Sequence, residues 1–104
     1  MPDSYRIIIK PSAAQDLQQI HEYIEKHSPQ NAADVARKIL REIDELQQLP
    51  HRYPIYEGHL HANEEIRRMV VRPFLVYYHV DDVRKAVHIL AIWHGARRQP
   101  RRFD

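Results

Sequence analysis

The sequence predicts an α+β domain: an N-terminal strand, an antiparallel helix hairpin, then a three-stranded antiparallel meander packed under the helices. Three observations predict it. Apolar residues recur at three- and four-residue spacing between positions 13 and 46, the signature of amphipathic helices. Between 66 and 94 the pattern changes to alternation over β-branched and aromatic runs. The connections between those runs are too short for anything but antiparallel neighbours. The chain has 104 residues, which we read as one domain, 1–104; a domain of this size buries roughly 60–70% of its unfolded surface.

Taken in order, Tyr5-Arg6-Ile7-Ile8-Ile9-Lys10 is a short β-branched run closed by Pro11 and reads as a strand. Ser12 then stands where a helix cap is needed, with Gln15 three residues on to complete a capping box. Ala13, Leu17, Ile20 and Ile24 draw one apolar stripe on a helix from about 13 to 27. Ser28-Pro29 starts a second helix, serine as cap and proline at the first helical position. Its stripe is Ala32, Ala36, Ile39, Ile43 and Leu46, widened by Val35 and Leu40, and Pro50 ends it. Residues 50–63, with two prolines, a glycine and three histidines, read as a loop. Ile66 to Arg72, Phe74 to Val80 and Ala86 to His94 are the strands of the meander. Alternation sets Phe74, Val76, Tyr78 and Val80 against Leu75, Tyr77 and His79. It likewise sets Val87, Ile89, Ala91 and Trp93 against His88, Leu90, Ile92 and His94.

Composition removes several function classes. The chain has no cysteine, so disulfides, thiolate catalysis and zinc–thiolate sites are excluded. No apolar run approaches the ~18 residues needed to span a bilayer, so no membrane partner is expected and the location expected is cytoplasmic. His59-x-His61 with His51 is a metal-like spacing, but it lies in a proline-rich loop. We expect neither metal nor cofactor. Charge is polarised: residues 65–104 hold nine Lys/Arg and four Asp/Glu, residues 1–64 seven and ten. A basic sheet-forming half favours an anionic partner, either nucleic acid or an acidic protein segment.

The chemistry-bearing residues gather on the meander. Metal-free RNA cleavage needs a base for the 2′-hydroxyl, an acid for the leaving oxygen and cations for the phosphorane charge. His79, His88 and His94, Tyr77 and Tyr78, and Arg67, Arg68, Arg97 and Arg98 are the candidates. Strict alternation places His88 and His94 on one face of the last strand. Arginine is a poor proton donor because its pKa exceeds ~12, which leaves histidine as the competent base.

The element order, the run Ile66-Arg67-Arg68-Met69-Val70-Val71-Arg72-Pro73-Phe74-Leu75-Val76-Tyr77-Tyr78, and the ending Ile92-Trp93-His94-Gly95-Ala96-Arg97 carry a resemblance. The chain resembles the RelE/ParE superfamily, the toxin halves of bacterial type II toxin–antitoxin modules, and its ending looks more like the ParE branch. The resemblance implies a toxin that engages DNA gyrase through a protein surface and is neutralised by a cognate antitoxin. The alternative it implies is a ribosome-dependent mRNA endonuclease of the RelE type, with ribosome and mRNA as partners. In that case His79, His94, Arg68 and Arg97 would be catalytic. The chain departs from the nuclease pattern: it ends Arg98-Gln99-Pro100-Arg101-Arg102-Phe103-Asp104, with no terminal tyrosine. For the gyrase reading the target-binding candidates are Arg67, Arg68, His94, Arg97 and Arg98, since surface inhibition needs exposed arginine and aromatic anchors.

Structural roles compete for the same residues. Arg67 and Arg68 alternate in face, so one can be a solvated or salt-bridged residue, with Glu64 or Glu65 as partner for about 0–1 kcal/mol. Trp93 continues the apolar face of its strand and reads as core. His94 can close the strand by bonding a loop carbonyl, and Gly95 can supply a backbone conformation closed to other residues. The hairpin offers a groove between Ile20/Ile24 and Val35/Ile39, with Tyr23 and Leu40 as lining. Ile20, Tyr23, Ile24, Val35, Ile39 and Leu40 are therefore the antitoxin-binding candidates, an antitoxin folding on binding as an amphipathic acidic helix or added strand.

Overall fold

Pro11 and Pro29 set where the two helices begin, each at the first helical position, where a missing N–H goes unnoticed. In the computed structural model, which describes residues 4–56 and 65–96, β1 spans Arg6–Ile9, α1 Pro11–His27 and α2 Pro29–Asp44. β2 (Ile66–Val71), β3 (Phe74–Asp81) and β4 (Ala86–His94) follow. The predicted α+β architecture is present, and no helix among the described residues is long and apolar enough to cross a membrane. Helix ends differ from expectation in two places. Because Pro11 already opens α1, the cap falls on Lys10 and the expected capping box does not form; Ser12 Oγ donates instead to the Leu90 carbonyl at 2.9 Å. Helix α2 stops at Asp44, and a 3-10 turn over Glu45–Gln47 carries the chain on before Pro50 is reached.

The sheet has four strands in the order β1-β4-β3-β2. β1 joins the meander at its far edge, parallel to β4, with Ile7 beside Val87 and Ile9 beside Ile89. The part of the expected loop that is described also contributes to the sheet. Ile55 bridges to Arg67, the Arg68 N–H donates to the Pro54 carbonyl at 3.1 Å, and the Tyr56 N–H donates to the Ile66 carbonyl. That short segment covers an otherwise bare β2 edge.

Both helices lie on one face. Ile39, Ile43 and Leu46 meet Met69, Val76, Tyr78, Val87, Ile89 and Ile92 there, all buried. Each such aliphatic side chain contributes about 1.5–3 kcal/mol of transfer free energy. The other face carries a smaller cluster of Ile66, Tyr77 and Ala91, flanked by Tyr56, Leu75, Leu90 and Trp93.

One irregularity reorders the last strand. β3 and β4 pair as Tyr77↔Ala91 and Tyr78↔Ile89, which leaves Leu90 as an extra residue, a β-bulge. Before the bulge, Val87 and Ile89 face the helices and His88 faces away, as alternation predicts. Beyond it the parity inverts: Ile92 pairs with Val76 and His94 with Phe74 on the helix face, while Trp93 pairs with Leu75 on the other. The expectation that His88 and His94 share a face is thereby corrected, and Trp93 leaves the helix-side core for the flank of the smaller cluster.

Candidate functional site

The helix face is left open at one end. Where α1 and α2 meet the β2–β3 turn and the end of β4, a groove of about 830 Å³ remains. Its lining is mainly apolar: Ile20, Tyr23 and Ile24 from α1, Val35 from α2, and Phe74 and Ile92 from the sheet. Helix α1 starts beside Ile89 and Leu90, midway along β4, and the groove lies along its later turns. Tyr23, 67% exposed, is the largest apolar group left uncovered there. Asp16, Asp34, Lys38 and His94 stand on the rim.

Four of the six antitoxin-binding candidates, Ile20, Tyr23, Ile24 and Val35, line this groove. Ile39 does not: it is 0% exposed and belongs to the core. Leu40 is 40% exposed but turns toward β1, where it borders a separate hollow with Ile7 and Ile9. The sequence reading missed Phe74 and Ile92 as groove floor. Helix-face parity of β3 pointed to Phe74, whereas the bulge concealed Ile92.

The target-binding candidates separate into three places. His94 is exposed at the groove rim, its ring edge-on to Phe74 with centroids 5.6 Å apart. Its Nδ1 accepts the Ala96 N–H at 3.0 Å, which fixes the proton of the neutral ring on Nε2. Gly95 is needed for closeness and not for an unusual backbone, since its φ is not positive. A Cβ there would stand 3.1 Å from the Pro73 carbonyl oxygen, to which the Gly95 N–H donates at 2.8 Å. Arg67 is half-buried and donates to the His51 and Tyr53 carbonyls at 3.2 and 2.7 Å. Those carbonyls, and not Glu65, are its partners. Arg68 lies on the opposite face, its guanidinium 5.0 Å from the Tyr56 ring centroid. Burial pushes the neighbouring Tyr77 phenol upward, and a hydrogen bond from Arg68 pulls it partly back. Arg97 and Arg98 lie outside the described residues, as do His59 and His61.

The nuclease candidates are likewise divided. His79 stacks on His88 across the strands, centroids 6.2 Å apart, and donates from Nδ1 to the Glu65 carbonyl at 3.0 Å. Both share the face of Arg68, away from His94. His79, Arg68 and His94 therefore do not form one constellation.

The opposite end of the strands is closed by polar bonds. The Tyr5 hydroxyl donates to Asp82 Oδ1 at 2.7 Å, and His51 Nε2 sits 3.0 Å from the same oxygen. The bond from Tyr5 is the main cause holding the Asp82 carboxyl below its ordinary range, and it raises the Tyr5 phenol in return. Tyr78 donates to the Pro50 carbonyl at 2.7 Å, and burial pushes its phenol up to about 12.

Against this geometry, residues 7–99 match the family described as the ParE toxin of the type II toxin–antitoxin system, parDE. The chain belongs to the ParE toxin family. Its fold is similar to that of the chromosomal ParDE system of P. aeruginosa, with a TM-score of 0.69 at 21% identity over 88% of this chain and 96% of that one. The archaeal RelE–RelB complex of Pyrococcus horikoshii OT3 aligns with a TM-score of 0.64 at 19% identity, over 91% of this chain and 99% of that one. The RelBE2 toxin–antitoxin complex of Mycobacterium tuberculosis gives 0.62 at 19% identity, over 93% and 98%. No curated protein matches the sequence. In this ParE-family chain the matched span holds both the hairpin groove and the open sheet face, so membership of the RelE/ParE superfamily, on the ParE side, rests on sequence and the fold on structure.

Proposed function

We propose that this type II toxin acts in the cytoplasm by inhibiting DNA gyrase through a protein surface, and that a cognate antitoxin neutralises it by filling the hairpin groove. The observation that carries the proposal is that groove. Ile20, Ile24, Val35, Phe74 and Ile92 make its lining mainly apolar, with Asp16, Asp34, Lys38 and His94 beside them, the profile that receives one apolar helix face. An antitoxin helix laid there, continued along the surface, gives an interface on the order of 1,600 Å². Family membership supports gyrase as target, and so does the separation of His94 from His79 and Arg68, because surface inhibition requires no proton relay.

One observation favours the second reading, a ribosome-dependent ribonuclease. Arg68, His79 and His88 share one face, which supplies a base and a cation without His94. Purified protein assayed on supercoiling and on translation side by side separates the two. Loss of supercoiling with linear DNA and intact message is the expected result. Message cleavage that disappears in His79→Ala, with supercoiling untouched, replaces the gyrase reading by the nuclease one.

A further inference from the structure

Strand β4 has β1 as a neighbour only as far as Ile89, because β1 ends at Ile9. Beyond that point the edge of β4 meets the start of α1 instead. The Lys10 N–H donates to the Ile89 carbonyl at 3.0 Å, and Ser12 Oγ donates to the Leu90 carbonyl at 2.9 Å. Asp16 Oδ2 accepts the Ile92 N–H at 3.0 Å. These three bonds bracket the extra residue Leu90.

Burial alone gives little preference for this register. Ile89-Leu90-Ala91-Ile92-Trp93 is apolar throughout, so sliding the strand by one residue exchanges one apolar set for another. What changes is His94. In an unbulged strand it would fall on the face away from the helices; with the bulge it reaches the groove rim against Phe74.

We propose that Asp16, assisted by Ser12, is a positioning residue whose carboxylate fixes the β4 bulge and so turns His94 into the groove. A carboxylate suits the task because a hydrogen bond to an ionised acceptor is roughly twice as strong as a neutral one. Both side chains sit on the first turns of α1, four residues apart and therefore on one helix face. That spacing matches carbonyl and N–H groups two residues apart on the strand. The register assignment stands by itself; only its consequence for toxicity rests on the gyrase reading above, in which His94 is a target-binding residue.

The test uses the full chain and amide-resolved NMR. Asp16→Ala is expected to speed exchange of the Ile92 amide about 10- to 100-fold, the equivalent of losing a hydrogen bond to a charged group. The His94 ring protons shift in the same variant as they leave the Phe74 ring, and growth arrest after induced expression weakens. Asp16→Asn, which keeps a neutral acceptor oxygen, restores all three only in part, and Ser12→Ala gives a smaller change than Asp16→Ala. Unchanged Ile92 exchange and an unmoved His94 ring in Asp16→Ala overturn the proposal. So does exchange that rises equally at Ile92 and at core amides such as Tyr78, which is general loosening. Selective change at Ile92 and His94 with growth arrest intact supports the register assignment and counts against His94 as a target-binding residue.

Discussion

The two ends of the strands finish the same helix-covered face in opposite ways. At the Asp82 end, hydroxyl, imidazole, guanidinium and carboxylate groups tie β1, the 50–53 segment and the β3–β4 turn together. At the His94 end the hairpin and the sheet line a mainly apolar groove, with tyrosine and isoleucine left partly bare. A closed end made of directional bonds holds the fold; an open end made of non-directional surface suits the partner proposed above. One protein needs both, and placing them at opposite strand ends lets either vary without the other.

The contrast can be broken most forcefully at two adjacent residues of α2. Ile39→Ala deletes a fully buried side chain and is expected to lower stability by about 2–5 kcal/mol, whereas Leu40→Ala, on the exposed side, falls within about 0.5 kcal/mol. Chemical denaturation measures both, and equal losses would contradict the assigned burial. The open end is probed by Tyr23→Ala, expected to weaken binding of the cognate antitoxin about 10- to 100-fold while the melting point stays within about 3 °C. Calorimetric titration reads the first and a thermal melt the second; undiminished affinity would remove the groove as the docking site. The closed end is probed by Arg67→Met, which strands two carbonyls and should cost about 1–3 kcal/mol with antitoxin affinity retained. A binding loss without destabilisation would make Arg67 an interface residue after all.

The smallest expected effect is a pH dependence confined to the closed end. The folded Asp82 carboxyl lies below its ordinary value of 3.8, so its contribution is present above that value and fades as pH falls through the folded one. The raised Tyr5 and Tyr78 phenols behave in the opposite sense. Their contribution is complete below the ordinary value of 10 and is lost as pH rises past it, toward about 12 for Tyr78. Asp82→Asn should flatten the acid limb of a stability-versus-pH curve and lessen the Tyr5 part of the alkaline limb while leaving the Tyr78 part; an unaltered acid limb would dismiss the Tyr5–Asp82 bond as a contributor.

Most of the fold was legible because periodicity records burial. The stripes of α1 and α2, the three meander strands and the helix-face parity of β3 all follow from residue spacing. Part of the site was legible for the same reason: Ile20, Ile24 and Val35 continue the core stripes and are only partly buried, and Tyr23 beside them is exposed. The β4 bulge was not, because it falls inside an unbroken apolar run where no polar residue marks the change of face. Its cause lies in Ser12 and Asp16, far away in the chain, and Ser12 imitates a helix cap at the same time. The bonding of Arg67 was hidden for a related reason. Its partners are backbone carbonyls, which every residue possesses and no sequence pattern advertises.

The parallel pairing of β1 with β4 also has a bearing on the order of assembly. Arg6 waits for Ala86, and the sheet edge stays incomplete until the last strand has been synthesised. Contacts of such long sequence separation slow folding, since chain closure precedes any reward from pairing. Ile92 and His94 belong to β4 as well, so the sheet side of the groove depends on the same distant pairing as the edge strand.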